Sequence, residues 1–441
     1  MLMKRLTCYT ALLMLLLWTS GCDLLTIEDR PDPNGPSLED LLQNPTRAKL
    51  ANLATGIESA SRFELNIYLI DVGMIGREYW RFSSADPRFT GDLLGKGTAV
   101  LDNNTFYITR PWGARYRVVR NAHILLEALA NAADLSDAEK RALAGFAKTF
   151  IAYQLLLNLN LTYDNGIRVD VSGPEPGPIV SRSEALAFIA SLLDEAAQDL
   201  SAGGDAFPFP LSSGFAGFDT PATFRQFNRA LAARVAAYRE QFDQVLTLLA
   251  DSFYDPDGDL KTGVYHSFST AAGDMVNPLF FDPNAPAGDA LVAHPSFAAE
   301  IEAGDQRLSK VVLREEPASL DGLTSNYGFY VYPAADAPIP IIRNAELILL
   351  AAEAHIQLGD LDTAVSLLNR IRNAAGLPDY AGPLTQEALL DEMLHQRRYE
   401  LYGEGHRWID LRRYNRLDEL PIDRPGDDVW RQFPIPATEN L

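Results

Sequence analysis

The chain has 441 residues, of which 47% are hydrophobic, and it carries 59 acidic against 38 basic residues, a formal net charge of -21. A surface this acidic repels the phosphates of nucleic acids and the headgroups of anionic lipids, which excludes nucleic-acid binding as a primary role. The length allows two or three domains. No long linker or low-complexity tract divides the chain, and this favours one large folded unit.

The first 22 residues have the pattern of a secretory signal peptide that ends in a lipidation site. Lys4 and Arg5 form a basic start, and the apolar run "ALLMLLLW" is too short to span a bilayer, which takes about 20 helical residues. "TSGC" then resembles a lipobox, so we expect cleavage before Cys22 and lipidation of its thiol. An ordinary signal peptide stays open as the alternative, because Thr19 stands where lipoboxes carry an aliphatic residue.

The remaining N-terminal residues are interpreted as a tether. The other cysteine, Cys8, leaves with the signal peptide of residues 1–21, so neither a disulfide nor a thiolate metal site is expected in the mature chain. Residues 22–36 are rich in Pro and Asp and lack periodicity, which is typical of a linker. The folded body is expected over residues 37–441, with an N-terminal part to about 250 and a C-terminal part from about 251.

Apolar residues at three- and four-residue spacing predict a mostly α-helical scaffold. Ser136 with Glu139 forms a capping-box pattern at the start of one predicted helix, and Ser37 is an N-cap residue at the start of another. The helical patterns cover residues 37–53, 114–132, 136–161 and 181–200.

A weak internal repeat indicates how the helices are arranged. Residues 345–372 follow the tetratricopeptide pattern, with small Ala351 and Ala352 where two helices must approach and Gly359 at the turn. Residues 230–249 echo this pattern, although taken alone they also fit a generic helical hairpin. We therefore predict tetratricopeptide-like helical hairpins in a right-handed stack, with long irregular inserts that carry a few short strands.

Two inserts interrupt the helical pattern, at residues 66–113 and 251–340, and both are rich in Pro, Gly, Asp and aromatic residues. Long irregular segments on a rigid scaffold are common places for binding, and flat rings bind the apolar faces of sugars. The alternative for each ring is a place in the core. The candidate ligand-binding residues are Tyr79, Trp80, Tyr107, Tyr327, Tyr330 and Tyr332.

Metal binding has little support in the sequence. "DPDGD" at residues 255–259 has the oxygen-rich character of a Ca²⁺ loop, but its twelfth position is His266, so an acidic turn is the favoured interpretation. The six histidines include no pair at the i, i+4 spacing of a helical zinc site. We predict neither a metal site nor a cofactor.

Glu400 and Glu404 are the strongest sign of an enzyme, because glycosidases use two carboxyl groups. Their neighbours argue against catalysis, since guanidinium groups lower the raised pKa that an acid catalyst needs. We predict an ion-pair lattice that braces the last helices, a bend at Gly403 and Gly405, and no catalytic residue. The arginines that flank the pair are Arg397, Arg398, Arg407, Arg412 and Arg413.

Three C-terminal blocks resemble SusD/RagB outer-membrane lipoproteins. They are "IPIIRNAELILLAAEAHIQLGDLDTAVSLLNRIRNAAGLP", "QRRYELYGEGHRWIDLRRYNRL" and "FPIPATEN". The resemblance implies a surface-exposed, lipid-anchored protein of the outer membrane that binds oligosaccharides and hands them to a SusC-like TonB-dependent transporter, without a cofactor and without catalysis. A peptide-binding member of the same class, a surface glycosidase and a protein-binding repeat adaptor remain the alternatives. No binding residue is carried over by the resemblance.

Overall fold

The computed structural model describes residues 37–173 and 175–440, so Cys22, the expected signal peptide and the tether lie outside the described residues. The α-helices are α1 (Leu38–Gln43), α2 (Arg47–Ala60), α3 (Leu65–Ile75), α4 (Phe106–Ala128), α5 (Asp137–Thr162), α6 (Arg182–Ser201), α7 (Pro221–Tyr238), α8 (Phe242–Ala250), α9 (Pro295–Glu300), α10 (Asn344–Leu358), α11 (Leu361–Ala374), α12 (Gln386–Glu400) and α13 (Arg407–Arg413). The strands are β1 (Tyr79–Ser83), β2 (Ile167–Arg168), β3 (Ile179–Val180), β4 (Gly263–His266), β5 (Asp289–Ala293), β6 (Val311–Leu320), β7 (Leu323–Phe329) and β8 (Ile339–Arg343).

The predicted first helix is two helices. Ser37 caps α1 as expected, because its hydroxyl accepts a hydrogen bond from the Asp40 amide at 3.1 Å. The prediction of one helix over residues 37–53 was wrong, since α1 ends before Pro45 and Thr46 caps a new helix, α2. The residue before a proline is driven out of the α region, and this ends the helix.

Helix α5 forms the centre of the helical layer. The predicted capping box is present, with the Ser136 hydroxyl accepting from the Glu139 amide and the Glu139 carboxylate accepting from the Ser136 amide. Helix α5 packs against both α4 and α6. Among the described residues, the segment Asp137–Asn165 is long and apolar enough to cross a membrane, but 89% of its apolar window is buried inside the protein. It is therefore a core helix here.

Both predicted repeat copies are helical hairpins. Helices α10 and α11 flank a turn at Gly359, which has a φ of 83° that a glycine adopts without strain. Helices α7 and α8 form the earlier hairpin, and α8 packs against α10 so that the two hairpins stack. The fold is mostly α-helical with tetratricopeptide-like hairpins, as the repeat pattern predicts.

The inserts are more ordered than their composition suggests. The first contains α3, whose residues are buried on every side, so the prediction of an irregular segment from residue 66 was wrong there. A helix that is apolar all round lacks the period by which surface helices are recognised. Strand β1 follows α3 and pairs antiparallel with β5, with Tyr79 opposite Ala293. The four-stranded sheet β1-β5-β7-β6 therefore joins the two inserts.

Candidate functional site

A cleft lies where the two inserts meet, and we call it the insert cleft. The loop after β1 forms one wall, and the turn between β6 and β7 forms the other. Its volume is about 640 Å³, within the range of roughly 300–1,000 Å³ that ligand pockets occupy. It is lined by Ser83, Ser84, Pro87, Arg88, Thr90, Gly91, Asp92, Lys96, Ala99, Leu320 and Asp321.

Asp321 is the polar centre of the insert cleft. It begins a two-residue hairpin turn with Gly322, in which both residues have positive φ, at 54° and 81°. Arg424 donates to its Oδ2 at 2.7 Å, Thr90 donates to the same atom at 3.0 Å, and Lys96 pairs with Oδ1. Burial alone would raise the pKa of Asp321, but the hydrogen bonds from Lys96, Thr90 and Arg424 hold it below its ordinary value. The carboxylate is therefore charged and fixed in place at pH 7.

Arg88 and Asp92 complete the polar lining on the other wall. Arg88 is exposed, donates to the Asp86 carboxylate at 2.7 Å and lies over the ring of Phe106, with 4.8 Å between its guanidinium carbon and the ring centroid. Tyr107 donates its hydroxyl to Asp92 Oδ2 at 3.1 Å. Together with the hydroxyls of the cleft, these groups offer both donors and acceptors to a polyhydroxylated ligand.

Four of the six predicted ligand-binding residues are buried, although Tyr332 also lines a second cleft described below, and ligand contact by these four stays a prediction. The Tyr79 hydroxyl donates to the Leu69 carbonyl at 2.7 Å, and that of Tyr332 donates to the Gly403 carbonyl at 3.2 Å. Tyr79 and Trp80 are neighbours on β1, so they point to opposite faces of the sheet, and both faces are covered. The four buried residues are Tyr79, Trp80, Tyr107 and Tyr332.

The other two predicted residues reach the surface. Tyr330 is 37% exposed, and Tyr327 is half-buried opposite Leu313, which is itself 67% exposed on the edge strand β6. Paired residues on neighbouring strands share a face of the sheet, so Tyr327 and Leu313 form one apolar patch. Ligand contact by Tyr327 and Tyr330 stays a prediction.

A second cleft of about 710 Å³ lies between the second insert and the C-terminal helices. Tyr265 and Lys310 line it, and Lys310 Nζ donates to the Tyr399 carbonyl at 2.8 Å. Burial lowers the pKa of Lys310 to about 8. Residues of the first insert do not line this cleft, so the insert cleft is the stronger match to a site built from both inserts.

The paired carboxylates Glu400 and Glu404 are held by one arginine. Arg343, the last residue of β8, donates to Glu400 Oε1 at 2.7 Å and to Glu404 Oε1 at 2.7 Å. Burial alone would raise the pKa of Glu400, but Arg343 and then Lys310 hold it below its ordinary value. A carboxyl group in this state is a poor proton donor, and the geometry is that of the predicted ion-pair lattice.

The predicted lattice joins helices that are distant in sequence. Arg413 on α13 donates to Glu353 on α10 at 2.8 Å, and Arg397 on α12 donates to Asp410 on α13 at 2.7 Å. Arg407 is different, because no oxygen lies within hydrogen-bonding distance of its guanidinium among the described residues. The prediction that Arg407 braces these helices through ion pairs was therefore wrong.

The predicted bend between α12 and α13 is present. Gly403 and Gly405 have φ values of 80° and 85°. A Cβ on Gly403 would stand 2.8 Å from the ring of Phe329, so the backbone here approaches the insert sheet too closely for a side chain. The bend presses the C-terminal segment onto the sheet that carries the insert cleft.

Glu78 is a buried acid in this contact region. Its Oε1 accepts from the Gly403 amide at 3.2 Å, while its Oε2 has no partner in the described part of the chain. Burial raises the pKa of Glu78 to about 7 from an ordinary value of 4.5. The folded protein therefore keeps a proton that the unfolded chain releases between pH 4.5 and 7, so this group weakens folding as pH rises through that window.

We expect Glu78→Gln to reverse this loss. Urea unfolding measures the free energy of unfolding of the variant and of the wild type. The variant's value minus the wild-type value should increase by about 3 kcal/mol between pH 4.5 and pH 8. The exposed Glu387→Gln is the matched control. A difference that does not change with pH would show that the pKa of Glu78 is the same in the folded protein as in the unfolded chain.

The acidic turn at residues 255–259 uses its carboxylates for local structure. Asp255 Oδ1 accepts from the Asp257 amide at 3.0 Å, and Asp259 Oδ1 accepts from the Lys261 amide at 3.0 Å. Over the described ranges, no grouping of three or more His, Cys, Asp or Glu side chains is arranged to hold a metal ion. The arrangement is that of the favoured acidic-turn interpretation.

The polar residues of the insert cleft were not among the predicted site residues. Arg88 and Asp321 lie 233 positions apart and are brought together by the pairing of β1 with β5 and of β5 with β7. One local signal was available, since Asp-Gly between two alternating apolar strands predicts a tight hairpin turn and so places Asp321 at a tip. No local sequence pattern indicates which surface of the protein the tip of this hairpin faces.

The C-terminal part of the chain is similar in sequence to known SusD proteins. The SusD family sequence model matches residues 326–431. A SusD-like protein P38 from Formosa agariphila is 39% identical over 107 residues, which cover 22% of this chain and 21% of that protein. The sequence match thus spans about a fifth of the relative's length.

Solved structures extend the likeness to the fold of nearly the whole chain. A SusD superfamily protein from Bacteroides vulgatus has a TM-score of 0.68 at 18% identity, covering 89% of this chain and 96% of that one. Surface glycan-binding protein A from Bacteroides thetaiotaomicron, solved in complex with laminarihexaose, has a TM-score of 0.69 at 15% identity, covering 90% and 97%. The C-terminal sequence is thus similar to the SusD family over residues 326–431, and the fold of nearly the whole chain is similar to that of a solved SusD superfamily protein.

Proposed function

We propose that the protein binds oligosaccharides in the insert cleft and delivers them to a SusC-like TonB-dependent transporter of the outer membrane. A lipid on Cys22 would anchor it to the cell surface, with residues 22–36 as the tether. The observation that carries the proposal is the fold shared with a surface glycan-binding protein in complex with laminarihexaose, at a TM-score of 0.69. A laminarin-binding SusD-like protein has the same fold, at a TM-score of 0.66.

The chemistry of the insert cleft supports this proposal. A sugar ring presents hydroxyl groups around its edge and C–H groups on its faces. Arg88, Lys96 and Asp321 offer charged donors and an acceptor for the hydroxyls, while Pro87 and Leu320 offer apolar surface. The carboxylate of Asp321 is already oriented by Arg424, so little ordering is needed when a ligand arrives.

Binding without cleavage is part of the proposal. The paired carboxylates Glu400 and Glu404 lie in the second cleft and are tied to Arg343. Affinity electrophoresis on a panel of polysaccharides that includes laminarin, with released sugars assayed in parallel, tests both statements. Release of sugar would favour a glycosidase, and retention of a peptide library with no glycan retarded would favour the peptide-binding alternative.

We expect Arg88→Ala to weaken binding of the best oligosaccharide about tenfold, the effect of losing roughly one charged hydrogen bond. Isothermal titration calorimetry measures the change. Arg110→Ala is the matched control, because Arg110 is also an exposed arginine that pairs with a single carboxylate, that of Glu64, but lies outside the cleft. Loss of affinity in Tyr265→Ala but not in Arg88→Ala would move the site to the second cleft.

A further inference from the structure

A small cavity lies among the C-terminal helices, apart from both clefts, and we call it the arginine cavity. Its volume is about 220 Å³, and α12, α13 and the turn after α13 contribute most of its lining. This is below the roughly 300 Å³ at which pockets for drug-sized ligands begin, so only a small ligand fits. Three arginines and a histidine line it, namely Arg398, Arg407, Arg416 and His395.

The carboxylates around the arginine cavity are already paired. Glu300 accepts from Arg398, and Asp391 accepts from Arg416. Glu419 also pairs with Arg416, and Asp410 belongs to the lattice described above through Arg397 and Arg413. None of these four carboxylates accepts a hydrogen bond from Arg407.

Arg407 is the cation of this cavity that lacks a partner among the described residues. Burial, and after it the neighbouring guanidinium of Arg398, lower the pKa of Arg407 to about 9, so it is charged at pH 7. The negative charges of Glu78 and Glu300 act on it through space only. Arg398 adds a second unused donor, because its buried Nε has no partner in the same part of the structure.

We propose that the arginine cavity binds a small oxyanion, of the phosphate, sulfate or carboxylate class, on the guanidinium of Arg407 with Arg398 beside it. A planar guanidinium presents paired N–H donors that match two oxygens of such an anion. An anion here also relieves the repulsion between two neighbouring arginines. The site is separate from the insert cleft, so it is independent of the glycan proposal.

Inorganic phosphate is the probe for this site. In a buffer without other oxyanions, millimolar phosphate at ionic strength matched with NaCl should raise the Tm of the wild type by about 2 °C. Arg407→Gln should show no rise. Arg117→Gln, which removes the same charge from an exposed position on α4 outside the cavity, should respond like the wild type. Acetate in place of phosphate tells whether carboxylates share the site.

Calorimetric titration of phosphate supplies the deciding measurement if Arg407→Gln does not fold. Arg407→Lys keeps the positive charge but loses the paired N–H donors of the guanidinium. The affinity of this variant for phosphate should therefore be about tenfold lower than that of the wild type. The proposal is overturned if the wild type binds no phosphate, or if Arg407→Lys binds it as tightly as the wild type. An equal Tm rise in Arg407→Gln and Arg117→Gln overturns it as well.

Discussion

Arg343→Ala is expected to lower the free energy of unfolding by about 4 kcal/mol, because it leaves two largely buried carboxylates without the arginine that they share as a hydrogen-bonded counter-ion. The Arg343 side chain contacts Glu400 and Glu404 at 2.7 Å each and also donates to the Glu400 carbonyl at 2.6 Å. Removing one partner of a buried ion pair costs more stability than the intact pair contributes, because the remaining charges stay in a medium of low dielectric constant. Urea unfolding followed by circular dichroism measures the loss.

Arg407→Ala is the control for this first prediction. In phosphate-free buffer it should cost less than about 1 kcal/mol, as expected for a half-buried side chain without a bonded partner in the described chain. If Arg407→Ala unfolds the protein and Arg343→Ala does not, the lattice around Arg343 is not what holds the C-terminal helices.

Trp80→Ala is expected to cost about 4 kcal/mol, the usual loss when a large buried ring is truncated and a cavity remains. The indole is 3% exposed, stacks on Phe82 at 5.9 Å between ring centroids and meets the edge of His294 at 4.8 Å. The sequence predicts ligand contact by Trp80, which would instead give a stable variant with weakened binding. Thermal and urea unfolding should both show the loss.

Tyr330→Ala is the matched aromatic control. Tyr330 is 37% exposed, so its truncation should change the free energy of unfolding by no more than about 0.5 kcal/mol. A stable Trp80→Ala variant with weakened glycan binding would contradict the buried position of this ring and restore it to the binding site.

Local signals in the sequence were sufficient for the helical scaffold. The capping box of Ser136 and Glu139 and the turn at Gly359 each depend on residues within one or two helical turns, so they could be predicted from spacing. Pro45 was also such a signal, and the error there was to let a helical pattern run through it. Helix α3 gave no periodic signal because it is buried on all sides.

The candidate site depended on pairing that no local pattern encodes. The sequence singled out the inserts, but their packing follows from the pairing of β1 with β5, more than 200 positions away. That pairing and the pairing of β5 with β7 bring Arg88 and Asp321 into one cleft. Large aromatic rings contribute most to the stability of the fold when they are buried. Many aromatic residues in an ordered insert therefore favour core positions over ligand contacts.

The proposed role of the insert cleft is to bind a glycan without cleaving it. Affinity electrophoresis of the wild type and Arg88→Ala on the same polysaccharide panel, with reducing sugar assayed in each lane, tests it most directly. We expect at least one polysaccharide to retard the wild type, Arg88→Ala to be retarded less, and no sugar to be released. Equal retardation of the two proteins, or sugar released by the wild type, would contradict it.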